Sequence, residues 1–162
     1  MTLKRLFASA LVALGLALPA AAAPLVVGGK NFTEQQLIAE ITTQLLKSKG
    51  FEVDKRAGLG TAPLRQALEA GQIDLYWEYT GTSLITFNKI EEKMDADQTY
   101  AKVKELDGEK GLVWLNPSKV NSTYAIAMRA ADAKERGIAT ISDLAAKING
   151  GEALTFGSNA EF

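Results

Sequence analysis

The chain contains no cysteine and no histidine in its 162 residues. The first absence excludes disulfides and a lipid-bearing cysteine behind an export signal. Together they exclude Ser-His-Asp and Cys-His nucleophiles within these residues. A zinc site would have to be built from carboxylates alone, which is unusual chemistry for that ion. The sequence has no G-x-S-x-G and no G-x-x-x-x-G-K-[ST]. Two-carboxylate acid–base work stays formally open through Glu34, Asp74 and Glu78, with no second signal beside it. The chain therefore reads as a non-enzyme, without metal or cofactor.

Long hydrophobic runs are also scarce. The one that exists, residues 6–18 ("LFASALVALGLAL"), follows Lys4 and Arg5 and precedes Pro19 and an alanine run. Thirteen apolar residues fall short of the roughly 20 a membrane-spanning helix needs. A basic start, an apolar stretch and an A-x-A site make an export signal over residues 1–22, cut after Ala22 so that the mature chain starts at Ala23. Removing Lys4 and Arg5 lowers eighteen basic residues to sixteen against nineteen acidic ones, and the net charge from −1 to −3. No basic footprint for nucleic acid remains. A soluble, monomeric, periplasmic protein is expected, and residues 23–162 suffice for one core.

What is present is an alternation of strand and helix signals. Residues 25–28 ("LVVG") read as a buried strand. Thr33 and Gln36 have the spacing of a capping box, and Leu37, Ile38, Ile41, Leu45 and Leu46 fall on one helical face that ends at Gly50. Residues 51–56 return as a strand. Pro63 suits the first turn of a second helix, with Leu64, Ala67 and Leu68 facing inward and Gly71 ending it. Residues 73–79 give a third strand, in which Trp77 packs on the face of Ile73 and Leu75. Asp74, Tyr76 and Glu78 share the other face, where the acids bond to backbone or to neighbouring helix ends. The order β-α-β-α-β predicts an α/β fold with a parallel sheet covered by helices. Further on, residues 82–87 begin a short helix, 98–110 form another, and 113–115, 122–129 and 154–157 read as strands. Residues 132–136 and 142–148 read as helices, the last capped by Ser142. The sequence stops just after a strand begins, which reads as a fragment of a longer protein.

In open α/β sheets ligands sit outside the carboxyl ends of strands. Lys30, Asn31 and Thr33 follow the first strand, Gly60 and Thr61 the second, and Tyr79 to Thr82 the third. A lysine, hydroxyls and a tyrosine at one edge can grip a zwitterion, its cation on the ring face and its carboxylate on Lys30 and hydroxyls. Each residue also has a plainer reading. Lys30 alone is a solvated charge, Thr33 a helix cap, and Tyr76 or Tyr79 a core aromatic.

The blocks "GGKNFTEQ", "GLGTAPLRQALEAGQIDLYWEYTGT" and "NSTYAIAMR" resemble the substrate-binding proteins of osmoprotectant ABC transporters, the glycine betaine, carnitine and choline binders. That resemblance implies a type II periplasmic-binding-protein fold of two lobes closing on a ligand, partnered by an inner-membrane permease. It implies that residues 23–120 form the first part of lobe one. Residues 121–162 would form the crossover and the beginning of lobe two, so the family's chain continues beyond Phe162. Tyr79 and Tyr124 then resemble walls of an aromatic cage for a trimethylammonium head. Ser122 takes a position whose carbonyl faces that head in some relatives. Lys30 and the Thr82 hydroxyl resemble the grip on a ligand carboxylate. Two rings contribute only about 1–4 kcal/mol, whereas micromolar binding needs about 8 kcal/mol.

Three other readings compete with this one. The ligand could be an amino acid or another small zwitterion, or the protein a sensor that transports nothing. An enzyme on the same bilobal scaffold would resemble porphobilinogen deaminase, which anchors its cofactor on a cysteine this sequence lacks.

Overall fold

The computed structural model describes residues 23–158. The export signal expected over residues 1–22 lies outside the described residues. At the centre is β1 (Leu25–Lys30), a six-residue strand whose last four residues are buried. It pairs in parallel with β2 (Val53–Leu59), from Leu25 opposite Val53 to Lys30 opposite Leu59, with a register shift between Gly29 and Lys30. The expected third strand is reduced to one parallel bridge between Leu75 and Val27. Gly28 N–H donates to the Leu75 carbonyl at 2.8 Å, and Asp74 N–H to the Val26 carbonyl at 2.9 Å. The Asp74 carboxylate accepts from Val26 N–H at 2.6 Å. A side chain thus does at this edge what a backbone carbonyl does in a ladder.

The glycine pair in β1 decides how the helices pack. A Cβ on Gly28 would lie 2.7 Å from Leu64 Cδ1, and one on Gly29 would lie 3.0 Å from Ala39 Cβ. Helices α1 (Thr33–Ser48) and α2 (Thr61–Glu69) therefore approach the strand more closely than any residue but glycine would allow. For α1 this selects the slender face of Gln35, Ala39 and Thr43, which is buried. Of the expected inward stripe, Ile38 and Leu46 are half-buried, but Leu37, Ile41 and Leu45 are 59%, 55% and 56% exposed. They sit two residues, or about 200°, round the helix from the buried set. The expected capping box is absent as well. Phe32 is the N-cap, without a side-chain cap, and the Gln36 side-chain amide donates to the Asn31 carbonyl. Helix α2 buries Leu64 and Arg65, and Gly71 beyond its end has a φ of +67°, the left-handed turn that glycine makes at least cost.

After the third strand come a single helical turn, α3 (Thr80–Thr82), a π-helical turn (Ser83–Phe87) and α4 (Ala96–Gly108). Helix α4 starts on a capping box between Asp95 and Gln98. It docks through Asp107, which is fully buried. The Arg65 guanidinium donates to both its oxygens, at 2.7 and 3.0 Å. The Ser83 hydroxyl, the Asn88 amide and the Trp114 indole N–H also donate to it, at 2.8, 3.1 and 2.7 Å. Burial works against the Asp107 charge, but these donors outweigh it and hold its carboxyl well below the usual carboxylate range.

Beyond this point the expectations for strands part from the structure. Residues 113–115, 122–129 and 154–157 join no ladder among the described residues. A strand is completed only when a neighbour takes its N–H and C=O groups in a regular ladder. Helices α5 (Ala130–Arg136) and α6 (Ile141–Asn149) do form. The latter is capped by Thr140, not Ser142, in a box closed by Asp143. Among the described residues no helix is long and apolar enough to cross a membrane.

Candidate functional site

The carboxyl end of β1 and the residues after Leu75 meet around two carboxylates. Lys30, the last residue of β1, is only 1% exposed. Its ammonium lies 2.5 Å from Glu78 Oε1 and 5.0 Å from the centre of the Tyr79 ring. Glu78 also accepts from the Tyr76 hydroxyl at 2.8 Å and from the Tyr79 backbone N–H at 2.7 Å. Burial, and then the Glu78 charge beside it, push the Tyr76 hydroxyl well above the usual tyrosine range, so it stays a donor. A buried ion pair satisfied in this way is costly to break, because removing one partner strands the other. In this arrangement the Lys30 ammonium is paired with Glu78. The sequence could not show this: the partner lies 48 positions away.

Glu34, in the first turn of α1, is the second carboxylate. Its Oε1 accepts from the Tyr79 hydroxyl at 2.7 Å. Its Oε2 accepts from the Ser122 hydroxyl at 3.0 Å. One exposed carboxylate thereby ties α1, the residue before α3 and the segment after residue 120. Burial, with Glu34 adding to it, pushes the Tyr79 hydroxyl up to about 12. The ring of Phe32 stacks on Tyr79 with centroids 6.3 Å apart and planes at 27°.

Of the residues singled out in the sequence, Lys30, Tyr79 and Ser122 are brought into one connected network through Glu78 and Glu34. Thr82 lies one turn beyond Tyr79 and is half-buried. Tyr124 is 68% exposed. It lines an open cavity of about 300 Å³ with Ala127, Thr155 and Phe156, and Tyr79 does not line that cavity. Trp77, expected to pack inward, is 43% exposed. Its indole N–H donates to the Thr42 hydroxyl at 2.9 Å, because α1 turns Thr42 toward it. Asp74 and Glu78 behave as expected of the opposite face, both accepting from backbone N–H groups. Two contributors were missed: Phe32, and Glu34 as a bridge. Both stand in the "KNFTE" block itself, where a ring and an acid two and four places after Lys30 were the available signal. Among the described residues no group of three metal-ligating side chains converges.

Comparison with known proteins gives the family and the fold. Residues 23–162 match the family described as the substrate binding domain of ABC-type glycine betaine transport systems. The chain is 50% identical over 119 residues to a glycine-betaine-binding protein of Pseudomonas aeruginosa, covering 74% of this chain and 38% of that one. It is 37% identical to the glycine betaine-binding protein YehZ of Escherichia coli, covering 100% of this chain and 55% of the relative. An ergothioneine transport permease/ergothioneine binding protein of Helicobacter pylori is 35% identical, over 75% of this chain and 22% of that one. The solved structure of apo YehZ from Escherichia coli matches with a TM-score of 0.61 at 34% identity, over 82% of this chain and 48% of that one. The α/β arrangement is thus that of a periplasmic binding protein. The chain spans about half or less of the length of these relatives. With the family matched from residue 23 to residue 162, this chain belongs to the substrate-binding domains of ABC-type glycine betaine transport systems.

Proposed function

We propose that this protein is the exported substrate-binding component of an ABC importer for quaternary ammonium compatible solutes, glycine betaine, choline or carnitine in type. It hands its ligand to an inner-membrane permease and works as a periplasmic monomer after loss of residues 1–22. In this reading residues 23–120 belong to lobe one, and residues 121–162 to the crossover and the start of lobe two. The observation that carries it is the linkage of Tyr79, Glu34 and Ser122 at the carboxyl end of β1, in a chain of the betaine-binding family.

The physics of the ligand explains the residue choice. A quaternary ammonium has no N–H to donate, so acceptors gain little from it and ring faces gain more, about 0.5–2 kcal/mol each. Tyr79 offers one ring and Tyr124 another, brought together when the lobes close. Ser122 offers its carbonyl to the cationic head, and the Thr82 hydroxyl meets the ligand carboxylate. Lys30 has a different role from a carboxylate grip: with Glu78 it holds the Tyr79 ring and backbone in place. The ergothioneine name of one relative is a reason to include larger zwitterions in any ligand panel.

Titration calorimetry of the full-length protein with betaine, choline, carnitine, proline and arginine tests the reading. Saturable binding confined to the quaternary amines supports it. Silence toward all of them at millimolar concentration rejects it.

A further inference from the structure

We infer that Glu34 reads the net charge of the ligand, its carboxylate favouring a quaternary ammonium that carries no carboxylate over a zwitterion. The inference rests on the ligand class proposed above and concerns the same site. Three observations carry it. First, Glu34 touches both segments that flank the site, through the Tyr79 hydroxyl at 2.7 Å and the Ser122 hydroxyl at 3.0 Å. A cation held against the Tyr79 ring is therefore within a side chain's reach of that carboxylate. Second, the other two charges at the site cancel: Lys30 and Glu78 are paired at 2.5 Å, with side chains 2% and 6% exposed. Third, Glu34 is in none of the ion pairs among the described residues. Its two partners are neutral hydroxyls, which leave its charge uncompensated. Among the described residues, Lys30, Glu78 and Glu34 around the Tyr79 ring thus sum to one negative charge.

That charge acts on the ligand through space. A trimethylammonium group offers no hydrogen for Glu34 to bind, so the attraction is Coulombic and grows as the closing cleft excludes water. A ligand carboxylate in the same cleft feels repulsion of comparable size, so for a zwitterion the two effects partly cancel. For a simple cation such as choline only the attraction remains. Replacing the charge while keeping the acceptor should therefore move the two ligand types differently. A residue that merely ties Tyr79 to Ser122 would move them together.

The experiment is calorimetric titration of choline and glycine betaine into the full-length protein and its Glu34→Gln and Glu34→Asp variants, at low and high salt. Glu34→Gln is expected to lower the choline-to-betaine affinity ratio about tenfold, and to remove the salt dependence of choline binding that the unaltered protein shows. Glu34→Asp, which keeps the charge on a shorter stem, should keep the ratio even where both affinities fall. An unchanged ratio in Glu34→Gln overturns the inference, and so does an equal loss of both ligands, which would mark Glu34 as a tether alone. If neither ligand binds the unaltered protein, it is the ligand class that fails.

Discussion

Residues 23–110 and residues 111–158 carry the same kinds of local signal, yet the side chains of the second set are at most half-buried. Every buried side chain among the described residues lies before residue 111. In the first region a glycine-paired strand draws two helices onto itself, and the Arg65–Asp107 cluster pins a third helix to them. In the second, α5 and α6 form with a left-handed Gly137 and a Thr140–Asp143 box but bury no residue. The later segments expected to be strands join no ladder among the described residues. Helices close their hydrogen bonds within themselves and need only caps and turns to be specified locally. Strands need a neighbour, and the neighbour is a property of the fold.

The comparison can be broken most forcefully at Asp107. Asp107→Ala leaves the buried Arg65 guanidinium with Glu69 as its one remaining carboxylate and strands the Ser83 and Trp114 donors; it is expected to cost about 3–5 kcal/mol, read as a lower urea midpoint. The same cluster predicts acid sensitivity. The folded pKa of Asp107 is lowered, so its stabilisation is complete above about pH 4, where an unfolded aspartate ionises. It is lost as pH falls below that toward the lowered value. Urea midpoints at pH 7, 5 and 3 should hold between the first two and drop at the third, with a smaller drop in the Asp107→Ala variant.

A mid-sized effect is expected at Gly28. Gly28→Ala forces a Cβ to 2.7 Å from Leu64 Cδ1. Overpacking of this kind costs about 1–3 kcal/mol, measurable as a fall in Tm. The smallest effect sharpens the contrast from the other side. Thr140→Ala removes the α6 cap, at about 1 kcal/mol. Because α6 buries nothing, amide exchange should quicken in Ile141–Asn149 while the global urea midpoint stays put.

The sequence carried the order of the first elements because periodicity and glycine stops are written locally. It misled about α1 because five apolar residues at helical spacing outweigh Gln35, Ala39 and Thr43 on any count of hydrophobicity. The face that packs was chosen by the missing Cβ atoms of Gly28 and Gly29, which is information held in a different element. The same holds at the site. "KNFTE" and "EYTGT" were legible as blocks, and Tyr79 and Ser122 do join one network. The burial of Lys30 depends on Glu78, however, and the bridging role of Glu34 depends on a residue 88 positions away. Pairings at such separations leave no periodic trace.

Tyr79, fixed by Lys30, Glu78 and Glu34, is the proposed wall for a quaternary ammonium head. Calorimetric titration of glycine betaine into the full-length protein and its Tyr79→Leu variant tests it most directly. Saturable binding is expected, weakened about tenfold by the substitution, the loss of one ring's worth of cation–π attraction. Equal affinity in the two proteins would contradict it.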